Sequence, residues 1–333
     1  MTILITGGAG YIGSHMAYAL LDAGEKIVVL DDLSTGFKWL LPDEATFIEG
    51  NAGDAELLAG IFKQHDVESI IHFAASIVVL QSIADPLGYY RNNTINSHAL
   101  IECAVRHGIR YFVFSSTSAV YGSTARTPTT EDAPTEPESP YGWSKLMTER
   151  MLRDVADASG LRFAILRYFN ACGADPRLRT GQATANATHL IKIAVETGLG
   201  KRPEMQVFGT DYPTPDGTCI RDYIHVCDLV AAHADALRFL RAGGASQVLN
   251  CGYGSGHSVL QVIETVKRVI GSDFKVTYGP RRPGDRPVSI AASDRLRSLL
   301  GWKPRYDNLD TIVAHAVAWE RHLSERQSAH ARR

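Results

Sequence analysis

Along the first half of the chain, short runs of apolar residues alternate with longer amphipathic stretches. The runs TILIT, KIVVLD, TFIEG, SIIHFA, YFVFSS and FAILRYF predict strands. Between most of them lie helical segments such as YIGSHMAYALLDAG, DAELLAGIFKQH and PLGYYRNNTINSHALIECAVRHG. Strands that are apolar throughout are buried on both faces, so the β-α-β alternation predicts a parallel sheet with helices on either side. Each crossover is expected to be right-handed.

After about residue 172 the texture changes. GADPRLRTGQATANATH and FGTDYPTPDGT are polar, loop-rich and dotted with proline, which predicts the start of a smaller unit that builds a ligand cleft. The boundary is not a clean cut. RDYIHVCDLVAAHADALRFL and QVLNCGYG again read as strand, helix and strand, so segments around 219–252 are expected to pack back onto the large sheet. There is no internal repeat. The terminal SERQSAHARR is basic and polar and is expected to fray.

Composition changes this picture little. The 333 residues are 45% hydrophobic and 21% charged, as a soluble globular chain with a real core requires. A net charge of −2 gives no overall basic bias toward nucleic acid or an anionic membrane, though a locally basic site for a small anion is compatible with it. No apolar run reaches the ~18 residues of a membrane span. The opening MTILITGG reads as a strand and a glycine loop, not as a cleavable leader. The cysteines (Cys103, Cys172, Cys219, Cys227, Cys251) are odd in number and include no C-x-x-C pair, and Cys219 and Cys227 lack metal-like spacing. Reduced thiols in a cytoplasmic protein, without a metal, are the expectation.

ILITGGAGYIGSH contains Gly8-x-Gly10-x-x-Gly13 and the looser Gly7-x-x-Gly10-x-x-Gly13. Such glycines give a tight turn and let the backbone approach a pyrophosphate, which a helix N-terminus favours. The motif follows a predicted strand and opens a helix, and Asp31 ends the next strand. A carboxylate there accepts hydrogen bonds from a ribose 2′-hydroxyl and repels a 2′-phosphate, so NAD is expected rather than NADP. The fold expected is α/β, a Rossmann-type doubly wound parallel sheet with a smaller mixed C-terminal substrate domain. Residues 1–172 would form the NAD-binding domain and 173–333 mainly the substrate domain.

SPYGWSK places Tyr141 and Lys145 four apart, hence on one helix face. The strand YFVFSS ends at Ser115 and Ser116 and is followed by Thr117. Ligands of doubly wound sheets bind beyond the carboxyl ends of the strands, where Thr117 would face a nicotinamide. A neighbouring ammonium, and the positive charge of NAD⁺, would favour the phenolate and lower the Tyr141 pKa, making it a general base.

The T-G-G-x-G-x-x-G loop, with Y-x-x-x-K after an SST strand end, resembles the extended short-chain dehydrogenase/reductase family. RYFNACGADP, VFGTDYPTPDGTCIRDYIHVCDL, NCGYGSGHSVLQVI and PRRPGD narrow the resemblance to the UDP-glucose 4-epimerases, from Thr2 to about Leu323. It implies C4 epimerisation of UDP-sugars over tightly bound NAD by a cytoplasmic homodimer. Tyr141 would be the acid/base, Lys145 its tuner and a ribose ligand, and Thr117 a hydroxyl partner. NAD would be held by Gly7, Gly10, Tyr11, Ile12, Gly13 and Asp31. Asn51, Ala52, Phe73, Ala74, Ala75, Asn92, Ser115, Tyr141, Lys145 and Tyr168 would complete that site. The UDP-sugar would meet Thr117, Asn170, His189, Val207, Phe208, Arg221, Arg282, Asp285 and Ser289. Guanidinium forks at Arg221 and Arg282 suit a diphosphate, and Asp285 suits ribose hydroxyls. A small Ser289 beside the sugar's 2-substituent implies acceptance of the N-acetylated sugars too.

The chain departs from the resemblance in places. Asn51 stands where an aspartate is usual for the adenine amino group, Ile77 where some members carry lysine, Leu80-Gln81 where Gly-Glu is common, and His189 where some have asparagine. Two alternatives stay open. A nucleotide-sugar dehydratase or decarboxylase needs an acid beside the threonine, where this chain has Ser118 and Ala119. A non-catalytic NAD-binding sensor would be expected to lose Tyr141 or Lys145, and both are present.

Overall fold

The computed structural model describes residues 1–123, 126–184, 187–282 and 284–331. The strands are β1 (Thr2–Thr6), β2 (Lys26–Asp31), β3 (Thr46–Glu49), β4 (Val67–His72), β5 (Tyr111–Thr117), β6 (Arg162–Tyr168) and β7 (Asn170–Cys172). They continue with β8 (Met205–Phe208), β9 (Ile220–Arg221), β10 (Tyr223–His225), β11 (Gln247–Cys251), β12 (His257–Ser258), β13 (Val276–Gly279) and β14 (Val288–Ser289). The α-helices are α1 (Tyr11–Asp22), α2 (Ala55–His65), α3 (Val79–Ala84), α4 (Pro86–Tyr89), α5 (Asn96–Arg106) and α6 (Pro140–Ser159). They end with α7 (Leu190–Gly198), α8 (Val226–Arg241), α9 (Val259–Ile270), α10 (Asp294–Leu300) and α11 (Leu309–Ala331).

Seven parallel strands make one sheet in the order β11-β6-β5-β4-β1-β2-β3. The apolar runs are explained by its two covered faces. Ile3 and Ile5 of β1 pack with Met16 and Leu20 of α1 and Leu229 and Leu237 of α8. Leu4 between them points the other way, into a second core with Leu58 of α2, Leu100 of α5 and Leu152 of α6. The strand order reverses between β1 and β4, and the crevice at such a reversal, at the carboxyl ends of the strands, is where a ligand fits.

The C-terminal part is smaller and mixed. β10 pairs with β7 and β13 with β8, both in parallel, while β9 lies between antiparallel β12 and parallel β14. These surround a third core with Ile191, Val195, Val262, Val266 and Val313. The chain then returns: α8 covers one face of the large sheet and β11 extends its edge beside β6.

The helical segment expected over 86–108 is helical from 86 to 106 and contains a wider π-helical turn at Tyr90–Ile95 between α4 and α5. In that turn Asn92 donates to Ser76 Oγ at 2.9 Å, and Asn93 both donates to Ser76 O and accepts from Ser76 N. At the terminus, α11 continues to Ala331 instead of fraying from Ser324; its apolar part is packed through Ile312, Val317, Trp319 and Leu323, and extending a formed helix is cheap. Arg332 and Arg333 lie outside the described residues.

Candidate active site

The glycine loop leaves β1 with Gly7 at φ 68°. A Cβ there would lie 2.5 Å from Ala74 N, and one on Gly13 would lie 2.2 Å from Gly7 O. No side chain fits either position, so the backbone of the loop stays bare at the start of α1. Asp31 organises the same loop, accepting from Ala9 N at 2.9 Å and Leu33 N at 2.8 Å. Burial raises its carboxyl, and those two N–H groups oppose the rise.

A cavity of about 640 Å³ lies over the loop, within the range of a small-molecule site. Gly7, Gly10, Tyr11, Ile12, Gly13 and Asp31 form its floor. Asn51, Ala52, Phe73, Ala74, Ala75 and Asn92 form a second wall, and Thr117, Tyr141 and Tyr168 line it as well. Asn51 is turned partly inward on its own loop, where Oδ1 accepts from Gly53 N at 2.7 Å. The bare cradle and the carboxylate at the end of β2 fit a dinucleotide.

Tyr141 is placed by a strong helix start. Ser139 caps α6 by accepting from Gly142 N, and Pro140 occupies the first turn, so Tyr141 enters the helix facing the end of β5. Thr117 Oγ1 accepts from Ala119 N at 3.1 Å. Lys145 Nζ donates to Ser115 O at 3.0 Å and lies 4.8 Å from the Phe114 ring. Ser115 Oγ donates to the Tyr168 hydroxyl at 3.0 Å. Lys145 and Ser115 therefore stand behind the cavity wall, not on it.

The electrostatics differ from the sequence expectation. Burial pushes the Tyr141 phenol above its ordinary value, the Tyr168 phenol adds to this, and a hydrogen bond with the Thr117 side chain opposes it. Burial also pulls the Lys145 ammonium down to about 7, against the pull of Glu149. The protein's own groups thus favour a neutral tyrosine. Desolvation dominates at the phenol, and Lys145, itself buried, loses charge for the same reason.

Sequence reasoning missed what stands below this pair. Tyr141, Lys145 and Glu149 succeed one another at four-residue spacing on one helix face, which was the available signal. Glu149 is fully buried; it accepts from Ser116 Oγ at 2.6 Å and from Arg167 Nε at 2.9 Å. Arg167 Nη1 donates to the Tyr121 hydroxyl at 2.9 Å, which donates to Asn250 Oδ1 at 2.8 Å. Ser115, Ser116 and Thr117 are therefore each tied to a different neighbour at the end of β5.

A second cavity, of about 530 Å³, adjoins the first. Ala119, Asn170 and His189 line both. Asn170 Nδ2 donates to Asp222 O at 3.1 Å, and Gln182 Nε2 donates to His189 Nδ1 at 2.7 Å. Val207, Phe208, Arg221, Arg282 and Asp285 line the second cavity. Arg221 Nη2 is 3.2 Å from Asp285 Oδ1, and the Arg282 guanidinium stacks 3.8 Å from the Phe208 ring centre. Ser289 is buried in β14, beside Arg221 of β9, and does not line either cavity. Arg286, which the sequence reading passed over, does line the second one.

A profile of the NAD dependent epimerase/dehydratase family matches residues 3–252. The chain belongs to that family. Within the NAD dependent epimerase/dehydratase family it is 56% identical over 323 residues to a UDP-glucose 4-epimerase of Azospirillum brasilense, covering 97% of this chain and 93% of the relative. A solved UDP-glucose 4-epimerase from Brucella ovis, in complex with NAD, superposes with a TM-score of 0.93 at 40% identity, over 95% of this chain and 97% of the other. A UDP-Glc/GlcNAc 4-epimerase from Campylobacter jejuni superposes with a TM-score of 0.84 at 46% identity, over 96% and 99%.

Proposed function

We propose that this protein is an NAD-dependent UDP-glucose 4-epimerase that inverts C4 of UDP-sugars reversibly. The observation that carries the reading is the meeting of two cavities beside Thr117 and Tyr141, one floored by the glycine loop and one lined by arginines. NAD, when bound, supplies a reversible hydride acceptor. The loop Gly7–Gly13 would face its pyrophosphate, Asp31 a ribose, Asn51 and Ala52 the adenine, and Phe73–Ala75 with Asn92 the flank. Lys145 and Ser115 act from behind the wall by fixing the end of β5. Tyr141 takes the proton of the sugar 4-hydroxyl and gives it back, with Thr117 holding the phenol in line. Arg221 and Arg282 meet the diphosphate, Asp285 the uridine ribose, and Val207, Phe208, Asn170 and His189 the remaining walls. In this division residues 1–172 serve the cofactor and 173–333 mainly the UDP-sugar.

Epimerisation has no net redox. Purified protein is expected to interconvert UDP-galactose and UDP-glucose without added NAD, read by separation of products. A need for stoichiometric external NAD, with release of NADH, would defeat the reading. The same assay on the UDP-N-acetylhexosamines tests breadth. Ser289 lies next to Arg221 in the β9–β14 ladder, behind the lining of the second cavity, so wild type is expected to use both pairs, and Ser289→Tyr to lose the N-acetylated pair by pushing that lining into the cavity. Wild type inactive on that pair would exclude the role of Ser289.

Among the described residues no helix is long and apolar enough to cross a membrane. Five free cysteines suit a reducing compartment, and we place the protein in the cytoplasm, which cell fractionation tests. We also propose a homodimer built on α4, α5 and α6. Leu87 and Ile95 are 73% and 60% exposed, and Trp143 and Met147 on α6 are exposed as well; apolar side chains gathered on adjoining helices favour a partner surface. Wild type is expected to sediment as a dimer and Leu87→Lys/Trp143→Lys as a monomer; a monomeric wild type at micromolar concentration removes the proposal.

A further inference from the structure

Gln182 lies in the loop between β7 and α7 and, like His189, lines both cavities. Its backbone is held from two sides. Trp319 Nε1 of α11 and Lys192 Nζ of α7 each donate to Gln182 O at 3.2 Å. A Cβ on Gly181 would lie 2.4 Å from the Trp319 ring, so a larger residue there would push the loop off α11. Trp319 and Lys192 are themselves buried, and Lys192 is paired with Glu320. A carbonyl held by donors from two packed helices fixes where the Gln182 side chain starts.

That side chain ends on an imidazole. Gln182 Nε2 donates to His189 Nδ1 at 2.7 Å. An amide nitrogen donates and does not accept, so Nδ1 is the bare nitrogen of His189 and the ring proton sits on Nε2. Burial disfavours a second proton on the ring, and no charged group among the described residues opposes it. His189 Nε2 meets no hydrogen-bond partner among the described residues and is not closed over. The ring therefore offers an N–H without charge where the glycine-loop cavity meets the arginine-lined one. With the amide turned round, Oε1 would accept from Nδ1 and leave a lone pair on Nε2, which repels the oxygens of a sugar or a phosphate.

We propose that Gln182 is a positioning residue: it fixes His189 as a neutral Nε2–H donor to an oxygen of the UDP-sugar at the junction of the two cavities. The inference rests on the UDP-sugar reading given above. The chemistry at C4 is unchanged, and no proton leaves the ring.

Ring-nitrogen magnetic resonance of protein carrying isotope-labelled histidine reads the tautomer directly, with the His189 signals identified by their absence in His189→Asn. Wild type is expected to show a bare Nδ1 and a protonated Nε2, and the Nε2 signal to move on adding UDP-galactose. A proton on Nδ1, or an Nε2 signal that UDP-galactose leaves unmoved, overturns the proposal. The second measurement is kcat/KM for UDP-galactose, taken relative to wild type at each pH. In Gln182→Glu a carboxylate accepts from Nδ1 and raises the pKa of the ring. In acid the ring then carries both protons and still donates; in alkali the remaining proton sits on Nδ1. The variant is expected to stay within ~2-fold of wild type near about pH 6 and to fall ~10-fold below it near about pH 9, through KM and not kcat, the worth of one hydrogen bond replaced by opposed lone pairs. Asparagine brings its own N–H, so Gln182→Glu/His189→Asn is expected to return to the level of His189→Asn at every pH. A Gln182→Glu that follows wild type throughout overturns the proposal. So does a loss that persists in the double variant, which would mean that the carboxylate repels the substrate directly. If wild type leaves UDP-galactose unconverted while its Nε2 signal still moves on adding it, the epimerase reading falls and the His189 donor stands.

Discussion

Tyr141→Phe is expected to lower turnover by at least ~10²-fold, the low end of general acid–base effects, with fold and cofactor content intact. The substitution removes one oxygen from a buried ring and keeps the packing at the start of α6. In the proposed reaction the hydroxyl carries the chemistry, because it is hydrogen-bonded to the Thr117 side chain and lines the cavity over the glycine loop. Burial holds the phenol protonated in the protein's own field, so a positive charge beside it has to favour the phenolate when the reaction runs. Initial rates on UDP-galactose, with circular dichroism and the absorbance of bound nucleotide, check the result. Near-normal turnover would take Tyr141 out of the acid/base role.

The second large effect is on stability. Arg167→Met is expected to cost ~3–5 kcal/mol, because it removes the close partner of buried Glu149 and leaves it only the longer contact with Arg153 at 3.8 Å. Arg167 and Glu149 are each about 1% exposed in their side chains and are joined at 2.5 Å. The double variant Arg167→Met/Glu149→Leu is expected to regain much of the loss, since the charge has gone with its partner. Urea unfolding of the three proteins decides this; a single variant within about 1 kcal/mol of wild type would mean that Glu149 protonates or finds another donor.

How far the sequence could be read follows from how local each cause is. The strands of the large sheet announce themselves because both faces are covered, which leaves apolar runs such as ILIT and FAIL. The glycine loop and the Ser139-Pro140 helix start are equally local. Strands of two residues, such as β9, β12 and β14, carry no pattern of their own and exist only because distant segments meet. The widened turn at Tyr90–Ile95 is the same kind of case, being accompanied by asparagine bonds to Ser76 in another loop. Lys145 could be seen as the neighbour of Tyr141 but not as a lysine whose ammonium is disfavoured by burial, because that depends on how deeply α6 is covered. Glu149 and Arg167 each look like ordinary surface charges in the sequence. Only their pairing across α6 and β6 lets both be buried. Ser289 lies in the expected stretch, but it is turned into the β14–β9 ladder and away from the cavity lining.

The position of β11 has a consequence for how the chain comes off the ribosome. The sheet that carries the glycine loop ends at β6 until Gln247–Cys251 arrives to lie beside it, and α8, which covers one of its faces, is also a late segment. A nascent chain that stops near residue 172 has made six of the seven strands yet still exposes an unpaired strand edge and an uncovered apolar face, both templates for wrong association. The large sheet therefore has to wait for about eighty further residues before it is complete, and those residues include several that line the second cavity. Truncation between the halves would yield aggregate, not a free nucleotide-binding module.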